Sequence, residues 1–140
     1  MELERTLAII KPDAVAKGLV GEIIKHYEDQ RFKILALKMV SLTKKQAEDF
    51  YAVHKGKPFY DGLTTFMSSG PCVALALAGE EVIARNRDLM GATDPAKAGG
   101  GTIRQKYGTN IERNVVHGSD SLETAAFELP FFFNSLELSI

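Results

Sequence analysis

Apolar and polar positions change their period several times along the chain, and each change marks an element. Residues 6–10, Thr-Leu-Ala-Ile-Ile, form a short, partly β-branched run that stops at Lys11-Pro12-Asp13 and reads as a buried strand. Val20, Ile23, Ile24 and Tyr27 then recur at the spacing of an amphipathic helix. Residues 32–40 put Leu35, Leu37 and Met39 on one face, which predicts a second strand. Thr43-Lys44-Lys45-Gln46 fits a capping box, opening a helix whose stripe is Ala47, Phe50, Tyr51 and His54 and which Gly56 and Pro58 close. A shorter helix is expected over 60–67, ended by Ser69-Gly70-Pro71. Residues 72–78 are continuously apolar, as a central strand buried on both faces would be. Helical spacing returns over 80–90.

From Gly91 to about Asn114 the periodicity disappears among glycines and Pro95, and so long an irregular stretch in a small domain is usually functional or disordered. A short strand over 114–117 and a final helix through Leu122, Ala125, Ala126 and Leu129 complete the pattern, with Asp120 and Glu123 set as a near capping box. Phe131, Phe132 and Phe133 are expected to pack the end of the chain, and residues 136–140 read as an exposed apolar tail. Strands alternating with helices predict an α/β sandwich with at least four strands, parallel or mixed. With no repeat, linker or charge block, the 140 residues read as a single domain over 1–140.

Composition narrows the function classes. Seventeen Lys and Arg against eighteen Asp and Glu give a net charge of -1, which disfavours a protein that coats nucleic acid or an anionic membrane. A lone cysteine, Cys72, excludes an internal disulfide and a cysteine-based zinc site. No stretch approaches the roughly 20 apolar residues of a membrane span. The acidic start, Met-Glu-Leu-Glu-Arg, lacks the pattern of a secretory signal, so a cytoplasmic location is expected.

The chemistry concentrates at His117-Gly118-Ser119-Asp120-Ser121, where a strand gives way to a helix. Glu128, on the flank of that helix, is set to reach back and orient the His117 imidazole as a carboxylate orients an acyl-transfer histidine. Imidazole is largely neutral at pH 7 and strongly nucleophilic, so such a histidine can carry a phosphoryl group. A half-buried, hydrogen-bonded histidine at a helix entry explains the same spacing, and spacing alone leaves both readings open. Lys11, Arg87 and Arg104 are separated cations that suit a polyphosphate if the fold gathers them. His26 falls off its apolar stripe and reads as solvated; His54 and Phe59 read first as packing residues. Neither of the standard glycine cradles for phosphates is present, and no acid or histidine pair has metal-ligand spacing. A divalent ion would then arrive on a nucleotide's phosphates, the habit of Mg²⁺.

These residues, in order, resemble one family. Residues 5–13 (Arg-Thr-Leu-Ala-Ile-Ile-Lys-Pro-Asp), Phe50-Tyr51 with His54, Pro58-Phe59, Ser69-Gly70-Pro71, Gly91-Ala92-Thr93-Asp94-Pro95, Gly101-Thr102-Ile103-Arg104 and residues 114–121 are similar to nucleoside diphosphate kinases over essentially the whole chain. The resemblance implies a ferredoxin-like βαββαβ fold: a four-stranded antiparallel sheet, a helical hairpin between the second and third strands, and a long loop before the last strand. It implies ping-pong transfer of a γ-phosphoryl from a nucleoside triphosphate, typically ATP, to a nucleoside diphosphate through a phosphohistidine at His117. Glu128 and Ser119 would support that histidine, with Tyr51 near the catalytic side. Lys11, Arg87, Thr93, Arg104 and Asn114 would hold phosphates and sugar, Phe59 would stack on the base, and Mg²⁺ would bridge phosphate oxygens. It further implies a hexamer or tetramer, with no specific nucleic acid or membrane partner. A non-catalytic nucleotide-binding scaffold and a kinase passing the phosphate to a protein are the alternatives. Lys57, Tyr60 and Gly100 depart from the family's usual Arg, Phe and Pro. The glycine leaves its loop freer in the unfolded chain, by about 1 kcal/mol, so weaker subunit contacts are expected.

Overall fold

The computed structural model describes residues 3–138. Four strands, β1 (Leu3–Ile10), β2 (Lys33–Val40), β3 (Cys72–Glu80) and β4 (Val116–Gly118), form one sheet in the order β2-β3-β1-β4. Every neighbouring pair is antiparallel. Helices α1 (Pro12–Ala16) and α2 (Val20–Asp29) join β1 to β2, and α3 (Lys44–Phe50) and α4 (Tyr60–Met67) form the hairpin between β2 and β3. Helix α5 (Val82–Met90) leads from β3 into the long segment containing α6 (Ile103–Tyr107), and α7 (Leu122–Phe132) follows β4. This is the ferredoxin-like arrangement expected.

Alternation along the central strands builds two cores. Leu7 and Ile9 of β1 and Cys72, Ala74 and Ala76 of β3 face Phe50, Tyr51, Met67, Leu129 and Phe132 from the α3–α4 hairpin and α7. Ala8, Ile10, Val73, Leu75 and Leu77 face the opposite way, against Ala14, Ile23, Tyr27, Val82, Met90 and Ile103. β1 and β3 therefore read as near-continuous apolar runs, as strands covered on both faces must.

Several expectations change. Pro12 does not merely end β1; it opens α1 at the first helical position, where its fixed φ and missing N–H cost nothing. Leu35, Leu37 and Met39 do not share a buried face, because the β2–β3 register shifts between Ile34 and Ala36. Leu35 is buried while Leu37 and Met39 stand about half exposed on the edge strand, the consequence of one extra residue in a period-2 pattern. Residues 91–114 are not all irregular, since α6 and a short 3-10 turn (Pro95–Lys97) lie inside them. The cap of α7 is Ser121 with Thr124, a reciprocal capping box, rather than Asp120 with Glu123. Thr124 Oγ1 also donates to Asp120 at 2.8 Å, so Asp120 supports the cap from outside it. The C-terminal tail is not wholly exposed: Leu138 is buried in the first core, while Ser139 and Ile140 lie outside the described residues.

The Thr43–Gln46 capping box is present as the sequence indicates. Tyr60, where the family commonly has Phe, uses its hydroxyl: it donates to the Glu48 carbonyl at 2.9 Å and ties α4 to α3. A Lys44–Asp61 ion pair at 2.8 Å spans the same two helices.

Candidate active site

β4 carries His117 opposite Ile9 on the first core's face of the sheet. The imidazole meets the rings of Phe50 and Tyr51 edge-on, with centroids 5.4 and 5.8 Å away. Its Nε2 lies 2.9 Å from Glu128 Oε1 on α7. A carboxylate only accepts, so Nε2 is the donating nitrogen of this pair, the arrangement that in a neutral imidazole leaves the lone pair on Nδ1. Ser119, fully buried, donates to the same Oε1 at 2.8 Å, while its Oγ accepts from the Leu7 N–H at 3.3 Å and its own N–H donates to the Leu7 carbonyl at 3.0 Å. Ser119 thus fastens Glu128 to β1, and Glu128 fastens the imidazole. Gly118 permits this close layering: a Cβ there would lie 2.5 Å from Asn86 Nδ2 and 2.7 Å from the Met90 methyl on α5.

Beside this relay sits a buried cationic floor. Lys11 follows β1 directly, as the N-cap of α1, is 6 % exposed, and donates through Nζ to Asn114 Oδ1 at 2.8 Å. Burial, and then the Arg104 charge, lower its pKa to about 8. Arg104, on α6 and also buried, donates from Nη1 to the Gly91 carbonyl (3.0 Å), from Nη2 to the Val116 carbonyl (2.7 Å) and from Nε to the Asn114 carbonyl (3.4 Å). Burial, with a smaller push from the Arg87 charge, lowers its pKa to about 10. Five N–H groups against three carbonyls leave two for a ligand. Asn114 completes the frame by donating from Nδ2 to the Thr93 carbonyl at 3.0 Å.

The other predicted residues lie at the rim. Phe59 is half exposed, its ring 5.2 Å from that of His54, and Lys57 Nζ stands 5.9 Å over it. Arg87 and the Thr93 side chain are exposed. His54 stacks on Tyr51 with centroids 6.2 Å apart, and its buried Nδ1 has no hydrogen-bond partner among the described residues. The Tyr51 hydroxyl is buried and has no hydrogen-bond partner among the described residues, burial pushes its pKa well above the usual phenol range, and its ring meets the His117 imidazole edge-on. His26 is not simply solvated: it is half-buried, and its Nε2 lies 3.3 Å from the Tyr107 hydroxyl.

Sequence reasoning misses two contributors. Asp13 accepts the Val115 N–H at 3.2 Å across 102 positions of chain, and Phe50 walls the imidazole. Phe50 stands on a recognisable stripe, but nothing local to residue 13 signals its partner. Among the described residues no group of three or more His, Cys, Asp or Glu side chains is set to hold a metal ion. None of the described helices is long and apolar enough to cross a membrane.

Comparison with known proteins identifies the family and the fold. Residues 4–138 match the family model for nucleoside diphosphate kinase. The nucleoside diphosphate kinase of Desulforapulum autotrophicum is 58% identical over 97% of this chain and 99% of its own. That of Persephonella marina is 56% identical over 99% of each. Among solved structures, the Aquifex aeolicus nucleoside diphosphate kinase superposes with a TM-score of 0.96 at 44% identity, covering 98% of this chain and 99% of that one. A halophilic nucleoside diphosphate kinase from Halobacterium salinarum, solved in complex with CDP, gives a TM-score of 0.95 at 38% identity, with 99% of this chain and 93% of that one covered.

Proposed function

The chain belongs to the nucleoside diphosphate kinase family and transfers phosphoryl groups between nucleotides; from that premise we propose that His117 Nδ1 is the atom that carries the phosphoryl group. The observation behind this is the 2.9 Å contact of Nε2 with a glutamate that Ser119 holds in place. It fixes the tautomer and leaves a lone pair on Nδ1.

In the first half-reaction Nδ1 attacks the γ-phosphorus of a nucleoside triphosphate, typically ATP. The Nδ1–P bond forms as the bond to the β–γ bridging oxygen breaks, and the diphosphate departs with that electron pair. Positive charge on the ring is met by the Glu128 carboxylate, which accepts the hydrogen bond from Nε2 while the proton stays on that nitrogen. In the second half-reaction the terminal oxygen of another nucleoside diphosphate attacks the phosphohistidine along the reverse path, giving ping-pong kinetics. Such transfers depend on alignment and on neutralising the equatorial oxygens. Lys11 and the two unused Arg104 N–H groups serve that purpose in the floor, and Arg87 serves it at the rim. Asn114 and Thr93 take the sugar and phosphates, and Phe59 offers a stacking face that any base satisfies.

Lys11, Arg104 and Asn114 line the floor, and no group of three or more His, Cys, Asp or Glu side chains among the described residues is set to hold a metal, so Mg²⁺ would be held chiefly through the nucleotide and would supply further charge neutralisation there. The exposed edge strand β2, with Leu37 and Met39 half exposed, supports self-association to a tetramer or hexamer. We assign the enzyme to the cytoplasm, where its one thiol stays reduced.

The direct test mixes protein with γ-labelled ATP and magnesium and follows protein-bound label. An acid-labile, alkali-stable label is expected on the wild type and none on His117→Ala. Equal labelling of the two would refute the assignment.

A further inference from the structure

The turn that delivers β4 to the site contains a β-branched residue in a conformation such residues rarely adopt. Val115 has φ +66° and is fully buried. The Val116 N–H donates to the Asn114 carbonyl at 2.8 Å, closing a three-residue turn around it. Strain of this kind persists only where the surroundings over-determine it. Here the Lys11 N–H holds the Val115 carbonyl at 2.8 Å, and Arg104 holds the carbonyls on either side of that residue. The remaining group, the Val115 N–H, is held by Asp13 Oδ2 at 3.2 Å. Asp13 is only 8 % exposed, and its other oxygen has no hydrogen-bond partner among the described residues. A buried carboxylate with half its capacity unused is a poor stabiliser on its own account.

We propose that Asp13 is a positioning residue for phosphoryl transfer: through its hydrogen bond to the Val115 N–H it maintains the left-handed turn that aims Asn114 at Lys11 and sets His117, two residues on, against Glu128. The proposal rests on the assignment of His117 as the phosphoryl carrier. Asp13 touches neither nucleotide nor imidazole in this scheme; it acts through the backbone.

Two other roles compete for the same carboxylate. It lies in the first turn of α1, and its charge acts on Lys11. Both need the negative charge, whereas the turn needs an acceptor oxygen at the right place. Asp13→Asn keeps an oxygen of nearly the same reach and drops the charge; Asp13→Ala drops both. Val115→Gly supplies a residue that takes positive φ freely and so removes the need for the anchor.

The experiment measures kcat and nucleotide KM for Asp13→Ala, Asp13→Asn and the double variant Asp13→Ala/Val115→Gly, beside wild type and His117→Ala. Asp13→Ala should lower kcat about 10- to 100-fold with KM moved less than about 3-fold, because misalignment is felt in transfer before binding. Asp13→Asn should stay within about 3-fold of wild type, and the double variant should regain at least about 5-fold over Asp13→Ala, since the glycine relieves the strain the anchor opposes. Wild-type kcat in Asp13→Ala, an Asn variant as poor as the Ala variant, or no gain from the glycine would each overturn the proposal. If Asp13→Ala does not fold, the Asn variant decides alone: retained kcat supports the anchor and lost kcat refutes it. Persistent labelling of His117→Ala would instead refute the carrier assignment, whatever Asp13 does.

Discussion

The floor of the site and its rim are built on different principles. Lys11, Arg104, Asn114, Ser119 and Glu128 are buried or nearly so, each hydrogen-bonded to backbone or to one another. Phe59, Arg87 and Thr93 project from exposed positions on the hairpin, on α5 and on the long segment after it. The floor is organised before any ligand arrives, as a site must be if its donors are to stabilise a transition state without rearranging. The exposed rim is less constrained by its neighbours, as the proposed stacking on bases of different kinds would require. A substitution should therefore strike according to its place: floor changes should lower kcat, and rim changes should raise KM.

Glu128→Ala should disturb that division most. Without the carboxylate the imidazole loses its tautomer and its orientation, and kcat should fall by about 10²–10³-fold while nucleotide affinity stays within a few-fold. Equal losses in steady-state kcat and in directly measured binding would make Glu128 a structural residue and dissolve the contrast. Phe59→Ala should do the opposite. Stacking is worth about 1–3 kcal/mol per base, so KM should rise on the order of 10-fold with kcat little changed; a large fall in kcat would place the ring in the floor.

Titration separates the two regions as well. Lys11, its pKa lowered to about 8, gives up its charge as pH rises through that value, so nucleotide affinity should weaken between about pH 7 and 9. Bound phosphate favours the charged form, so kcat at saturation should change less. Lys11→Met should lack this alkaline limb in KM. The stability consequence has the opposite sign. Between about 8 and the ordinary lysine value of 10.5 the unfolded chain holds a proton that the folded chain does not, so Lys11's contribution to folding stability improves as pH rises through that window. At Gly100 a Cβ would meet nothing within 4 Å, so a larger residue there displaces no neighbour. Gly100→Pro should raise thermal stability by only about 0.4–1 kcal/mol in melting experiments and leave kcat alone.

The residues legible in the sequence are those whose signals are local. Thr43 and Gln46 sit three apart and cap α3 as expected, and 60–67 is helical to the residue. Glu128 lies eleven positions from His117, close enough along the chain for its reach across the strand–helix junction to be anticipated. The illegible parts depend on distant neighbours. The register shift at Leu35 is set by β3, and it turns Leu37 and Met39 outward. Arg104 reads as a phosphate ligand in the sequence, but much of its capacity goes to three backbone carbonyls that only the folded chain assembles. Pro12 is compatible with both a strand end and a helix start, and the structure uses it as both.

In the proposed mechanism Glu128 holds the Nε2 proton, so that Nδ1 is the nitrogen left to accept phosphorus, and the remaining steps follow from that assignment of one proton. The decisive measurement is to phosphorylate the enzyme with a nucleoside triphosphate and record the nitrogen–phosphorus connectivity of the trapped intermediate by NMR. One phosphohistidine is expected, at His117, bonded through Nδ1; phosphorus on Nε2, or on any residue other than His117, would refute the mechanism.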